Sequence, residues 1–218
     1  MEKIITPRIK ICCISSLEEA KMAIKMGASA LGLVSEMPSG PVVISMETIK
    51  LIAAFVPPPI ATFLLTSKQD INEIIKQHEY CRTNTIQICD DLTVGTHREL
   101  KEALPGIAIV QVIHVSGEES IADVLAIQNE VDAILLDSGD QSKQVKELGG
   151  TGRTHNWEIS CKIREQLDIP IFLAGGIKPD NIAEAINQVH PFGIDLCSGV
   201  RTDDKLDKIK LQQLFNNI

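Results

Sequence analysis

The feature that most constrains this chain is a unit that recurs eight times: a short aliphatic run followed by a longer helical segment. The runs fall at Arg8 to Cys13, Ala30 to Ser35, Ile60 to Thr66, Thr85 to Cys89, Ile107 to Ile113, Ala133 to Asp137, Ile169 to Ala174 and Gly193 to Cys197. Strands this short and apolar suit a parallel sheet covered on both faces. The first helix opens at the capping box Ser16-Leu17-Glu18-Glu19 and ends at Gly27. The others span about Ser45 to Phe55, Ser67 to His78, Thr96 to Leu104, Glu118 to Asn129, Asn156 to Gln166, Pro179 to Gln188 and Lys205 to Asn216. Strict alternation over eight units predicts the α/β class, with residues 1–218 forming a single (β/α)8 barrel domain. An open doubly wound sheet would carry its glycine fingerprint after the first strand, whereas here the glycine pairs come late.

With 44% hydrophobic but only 3% aromatic residues, the core has to be built from Ile, Leu, Val and Ala. A formal charge of -8 argues against nucleic acid as a partner, though not against a small anion that feels only the local field. No apolar run reaches the roughly 18 residues of a membrane span, and the N-terminus lacks the apolar core of a signal peptide. These features predict a cytoplasmic protein with no membrane partner. The six cysteines, Cys12, Cys13, Cys81, Cys89, Cys161 and Cys197, include no C-x-x-C pair and are expected as reduced thiols rather than metal ligands.

Barrels of this kind bind ligands where strands end, with phosphate held after the last two strands. Gly175-Gly176 follows the seventh strand, Ser198-Gly199 the eighth, and Gly149-Gly150-Thr151-Gly152 the sixth. Gly150, Gly152, Gly175, Gly176, Ser198 and Gly199 are therefore the candidate phosphate-binding residues. Pro179 is expected in the first turn of the helix behind Gly175-Gly176. Strand alternation points Cys12 and Lys10 inward and turns Ile11 and Cys13 toward the helices. Cys12 is either a small core residue or a catalytic thiol, and Asp137, closing the sixth strand, either a loop cap or a catalytic acid. Lys10 and Asp195 fall on the inward face of adjoining strands and are expected to pair, placing positive charge below Cys12. His114 ends the fifth strand at the mouth, as a substrate contact or a loop histidine.

Lys10-Ile11-Cys12, Gly32-Leu33-Val34, Leu135-Leu136-Asp137, Gly149-Gly150-Thr151-Gly152-Arg153-Thr154, Leu173-Ala174-Gly175-Gly176-Ile177 with Pro179 and Asn181, and Asp195 with Ser198-Gly199-Val200 occur in barrel order. In this set the chain resembles the phosphoribosylanthranilate isomerase family of tryptophan biosynthesis over essentially its whole length. The resemblance implies an Amadori rearrangement of N-(5-phosphoribosyl)anthranilate to the 1-deoxyribulose 5-phosphate. Asp137 would protonate the ring oxygen and Cys12 would take the C2 proton. No cofactor is implied, because the substrate nitrogen is itself the electron sink. The partner implied is a small phosphorylated substrate, and the barrel is expected as a monomer or homodimer.

Four departures from the family pattern stand out. Cys13 occupies a position that is usually glycine, and Gln87-Ile88-Cys89-Asp90 stands where Gln-Leu-His-Gly is usual. The loop from Met37 to Ile44 lacks the Arg that meets the anthranilate carboxylate, and Arg201 replaces a common Glu. Arg201 is thus the candidate to take over that carboxylate, with Lys10 and His114 as further candidate substrate contacts. A sister enzyme for another phosphorylated sugar derivative, or a non-catalytic barrel that binds a phosphorylated ligand, stays open on these residues.

Overall fold

A computed structural model of the chain describes residues 6–38, 42–139, 148, 152 and 154–218. Eight parallel strands close in sequence order: β1 (Arg8–Ile11), β2 (Ala30–Val34), β3 (Ala61–Thr66), β4 (Thr85–Ile88), β5 (Ala108–His114), β6 (Ala133–Asp137), β7 (Ile171–Leu173) and β8 (Gly193–Leu196). Pairing of β1 with β8, Lys10 against Asp195 and Ile11 against Leu196, completes the ring. The helices α1 (Leu17–Met26), α2 (Met46–Phe55), α3 (Ile71–Cys81), α4 (His97–Ala103), α5 (Glu119–Ile127), α6 (Trp157–Gln166), α7 (Ile182–Val189) and α8 (Lys208–Asn216) follow the strands one by one. The expected barrel is the observed one.

Strand periodicity divides the core in two. Outward residues such as Ile11, Leu31, Leu33, Leu64, Ile86 and Ile134 pack against the helices. Inward residues fill the lumen, among them Ala30, Val34, Phe63, Leu65, Val110, Val112, Leu135 and Phe172. Phe63, Phe172 and Phe192 meet edge-to-face with centroids 5.8 and 5.7 Å apart, a geometry that suits the aromatic quadrupole. Gly193 makes room for them, since a Cβ there would lie 2.5 Å from the Phe172 ring.

Local chemistry sets several boundaries. Ser16 caps α1 by accepting from the Glu19 amide at 3.2 Å, but the Glu19 carboxylate reaches the Ser15 amide at 2.9 Å, so the expected reciprocal box is one-sided. Helix α7 starts at Ile182, so Pro179 lies in the preceding turn rather than the first helical one. There Asn181 accepts from the Lys178 amide at 2.8 Å and donates to the Gly176 carbonyl at 3.1 Å, fixing the glycine turn. Between β8 and α8 the chain adds a hairpin of β9 (Arg201–Thr202) and β10 (Lys205–Leu206). Its two turn residues, Asp203 and Asp204, are both left-handed (φ 48° and 58°), the conformation a tight two-residue hairpin demands. The last helix therefore begins three residues later than the sequence suggests, capped by Asp207, which accepts from the amides of Ile209 and Lys210.

Candidate active site

Going round the rim, the loops come in the order β6, β7, β8, β1, and they carry Asp137, Gly175-Gly176, Ser198-Gly199 and Cys12 in turn. The predicted acid and base thus flank the two predicted phosphate turns. Cys12 directly follows β1, is 5% exposed, and donates its amide to the Leu196 carbonyl at 2.7 Å. Beside it on β2, Gly32 is sterically required: a Cβ there would lie 2.8 Å from the Cys12 Sγ and 3.2 Å from the Lys10 Nζ. Asp137 is 7% exposed, and its Oδ1 accepts from the Ser138 amide at 2.7 Å.

The glycine turns converge. Gly175 and Gly176 are successive left-handed residues (φ 81° and 62°), which only glycine adopts without strain. A side chain at Gly175 would stand 3.1 Å from the Asp137 Oδ1. At Gly199 a Cβ would lie 2.0 Å from the Ile177 carbonyl oxygen, so the β7 and β8 loops touch backbone to backbone. Gly152 also approaches Ser198, whose Oγ would be 3.6 Å from a Cβ at that position. Gly150 lies outside the described residues.

Lys10 is fully buried and its Nζ is 2.9 Å from the Asp195 Oδ1, as strand phase predicts. It also stands 5.0 Å from the Phe63 ring centroid. Burial alone disfavours the ammonium, but Asp195, reinforced by Cys12 and Cys89, holds the Lys10 pKa above its ordinary value. The lysine is therefore a fixed positive charge beneath Cys12. Cys89, on the inner face past β4, has its thiol pushed up by burial, with the charge of Cys12 adding to the effect.

His114 belongs by alternation to the inward set of β5, in register with Asp137, and its Nε2 is 3.3 Å from the Cys89 carbonyl oxygen. His155 immediately precedes Asn156, the cap of α6, and feels the charge of Asp137. Burial pushes its pKa down to about 4 against the opposing pull of the Asp137 charge, so the imidazole is neutral at physiological pH. Its Nε2 is 2.7 Å from the Ser160 Oγ. A histidine between a glycine-rich loop and a helix cap carries no sequence signal for this placement.

Two expectations are corrected. Arg201 is not a guanidinium waiting at the mouth: it is 6% exposed, with Nη2 2.7 Å from the Glu19 Oε2 and Nη1 3.2 Å from Oε1. Its terminal nitrogens also donate to the Asp204 and Cys13 carbonyls. Burial opposes ionisation of Glu19, but Arg201 and the Leu206 and Ser15 amides hold its pKa below the ordinary value. A fork committed to a buried carboxylate is not free to clamp a substrate. Cys13 does not face the helices either; its left-handed backbone (φ 62°) turns it into the lumenal cluster with Cys12.

Fold and site together define a (β/α)8-barrel enzyme whose mouth sets a thiol and a carboxyl group either side of two glycine turns. A profile of the family described as N-(5'phosphoribosyl)anthranilate (PRA) isomerase matches residues 9–217. The chain is 31% identical over 211 residues to N-(5'-phosphoribosyl)anthranilate isomerase of Methanothrix thermoacetophila, covering 97% of each protein. The crystal structure of phosphoribosyl anthranilate isomerase from Thermotoga maritima superposes with a TM-score of 0.82 at 26% identity, over 97% of this chain and 98% of that one. A phosphoribosyl anthranilate isomerase in complex with reduced 1-(o-carboxyphenylamino)-1-deoxyribulose 5-phosphate gives 0.79 at 25% identity, over 97% and 98%. The chain belongs to the N-(5'-phosphoribosyl)anthranilate isomerase family.

Proposed function

We propose that the chain carries out the family's Amadori rearrangement of N-(5-phosphoribosyl)anthranilate with Asp137 as general acid and Cys12 as general base. The observation that carries this reading is the rim order, in which the acid and the base bracket the Gly175-Gly176 and Ser198-Gly199 turns. A phosphate held there leaves the sugar lying between Asp137 and Cys12. Asp137 protonates the ring oxygen, the ring opens to a Schiff base, and Cys12 takes the C2 proton. The resulting enolamine tautomerises to the ketone. Lys10, locked to Asp195, places a fixed positive charge beneath Cys12. With Arg201 committed to Glu19, His114 is the predicted substrate contact that remains at the mouth, beside Asp137 in register.

Rescue of a tryptophan auxotroph lacking the isomerase tests the proposal, with Cys12→Ser and Asp137→Asn as controls. Growth with the parent sequence and none with either variant is the expected result. A folded parent protein that fails to rescue would hand the site to another phosphorylated sugar derivative.

A further inference from the structure

Beside Cys12 the β1 and β8 ends bring together two thiols that the isomerisation does not use. Cys13 holds a left-handed backbone (φ 62°), a conformation disfavoured for a residue with a Cβ. Arg201 fixes that turn by donating to the Cys13 carbonyl. The turn puts the Cys13 Sγ 2.6 Å from the Sγ of Cys197, far inside ordinary non-bonded contact at about 3.5–4.0 Å. The two residues are 184 positions apart, so the apposition is a product of barrel closure and not of local sequence. Cys197 is half-buried, whereas Cys13 is only 4% exposed.

We propose that Cys13 and Cys197 form a site of reversible oxidative modification, a dithiol that takes a hydroperoxide and closes to a disulfide. The more accessible Cys197, as thiolate, attacks a peroxide oxygen. The O–O bond breaks, hydroxide leaves and is protonated to water, and Cys197 becomes a sulfenic acid. Cys13 then attacks that sulfur, the S–O bond breaks, and a second water departs. Two thiols and one hydrogen peroxide thus give one disulfide and two waters, with two electrons passing from sulfur to oxygen. Contact with the Cys12 and Cys197 thiols, together with burial, raises the Cys13 pKa well above its ordinary value, which suits the resolving rather than the attacking thiol. A small dithiol reverses the bond by exchange.

The bond would tie the residue after Cys12 to the residue before Ser198, and so shift both the base and a phosphate turn. This effect on turnover rests on the isomerase reading, while formation of the bond does not. The test uses the full chain, purified under reductant, exposed to hydrogen peroxide, alkylated and digested without reduction for mass spectrometry, with isomerase activity followed in parallel. We expect a cross-linked peptide pair containing Cys197, retained in Cys12→Ser and absent in Cys13→Gly and in Cys197→Ser. Wild-type activity should fall at least tenfold and return with dithiothreitol, and Cys13→Gly should match the untreated wild type before peroxide is added. Absence of a Cys197 cross-link when half-buried Cys161 is already oxidised would overturn the proposal. So would a cross-link that persists in Cys13→Gly and vanishes in Cys12→Ser. A Cys13–Cys197 bond with full activity would refute its coupling to turnover.

Discussion

Replacing Lys10 by Met probes the electrostatic floor of the site. The Nζ and Oδ1 are 2.9 Å apart and the side chains are 0% and 8% exposed. At that separation the attraction is about 6 kcal/mol for an effective dielectric of about 20, most of it offset by the desolvation of two charges. Net stabilisation by the pair is therefore small, but deletion of one partner strands the other. Lys10→Met leaves the Asp195 carboxylate in a lumen lined by Phe63 and Phe172, for a loss of about 3–5 kcal/mol. In a chain of this size that lowers the melting temperature by roughly 6–20 °C. Urea unfolding of wild type, Lys10→Met, Asp195→Leu and the double variant measures it, and the double variant should recover much of the loss. Because the folded-state pKa of Lys10 lies above its ordinary value, its contribution is fully present below about pH 10.4 and is lost as pH rises through the folded value. The wild-type advantage should therefore stay constant from neutrality to about pH 10. A loss below about 1 kcal/mol for Lys10→Met, or additivity of the two single changes, would refute the reasoning.

Arg201→Met should destabilise by about 3–5 kcal/mol through a stranded Glu19 while leaving KM within about twofold; a selective rise in KM at unchanged stability would return Arg201 to the mouth. The folded pKa of Glu19 lies below its ordinary value, so its contribution is present above about pH 4.3 and is lost as pH falls through the folded value. Glu19→Gln should therefore flatten the acid limb of stability against pH. Sulfate soaked into crystals should sit on Gly175, Gly176, Ser198 and Gly199, and an anion found only at the N-terminal face of the barrel would contradict the assignment. Gly199→Ala, whose Cβ would meet the Ile177 carbonyl at 2.0 Å, should abolish that binding or the fold.

Most of the architecture was legible because it rests on period and order. Apolar strands separated by capped helices give the barrel, and alternation alone placed Lys10 opposite Asp195. Alternation stops being informative where a strand stops. β1 ends at Ile11, so the left-handed turn at Cys13 overrides the outward assignment that counting would give it. Arg201 was misread for a different reason. Its position near the mouth follows from topology, but its partner Glu19 lies 182 residues away on α1, where the capping-box pattern assigns Glu19 to the helix start. The Asp203-Asp204 hairpin was missed because its turn lacks the glycine that normally announces left-handed residues. The histidine pair shows the same limit. His114 stands in register with the acid on the neighbouring strand and His155 feels its charge, and neither relation leaves a spacing in the sequence.

The central claim is that Cys12 and Asp137 carry the isomerisation, and the most direct measurement is kcat/KM on N-(5-phosphoribosyl)anthranilate for wild type, Cys12→Ser and Asp137→Asn. Loss of one positioned proton-transfer group is expected to cost about 10²–10⁴-fold, so each variant should fall by that factor while retaining the wild-type melting temperature. The account predicts turnover by the wild type and this loss in both variants. A folded wild type without turnover, or either variant within about threefold of it, would contradict the account.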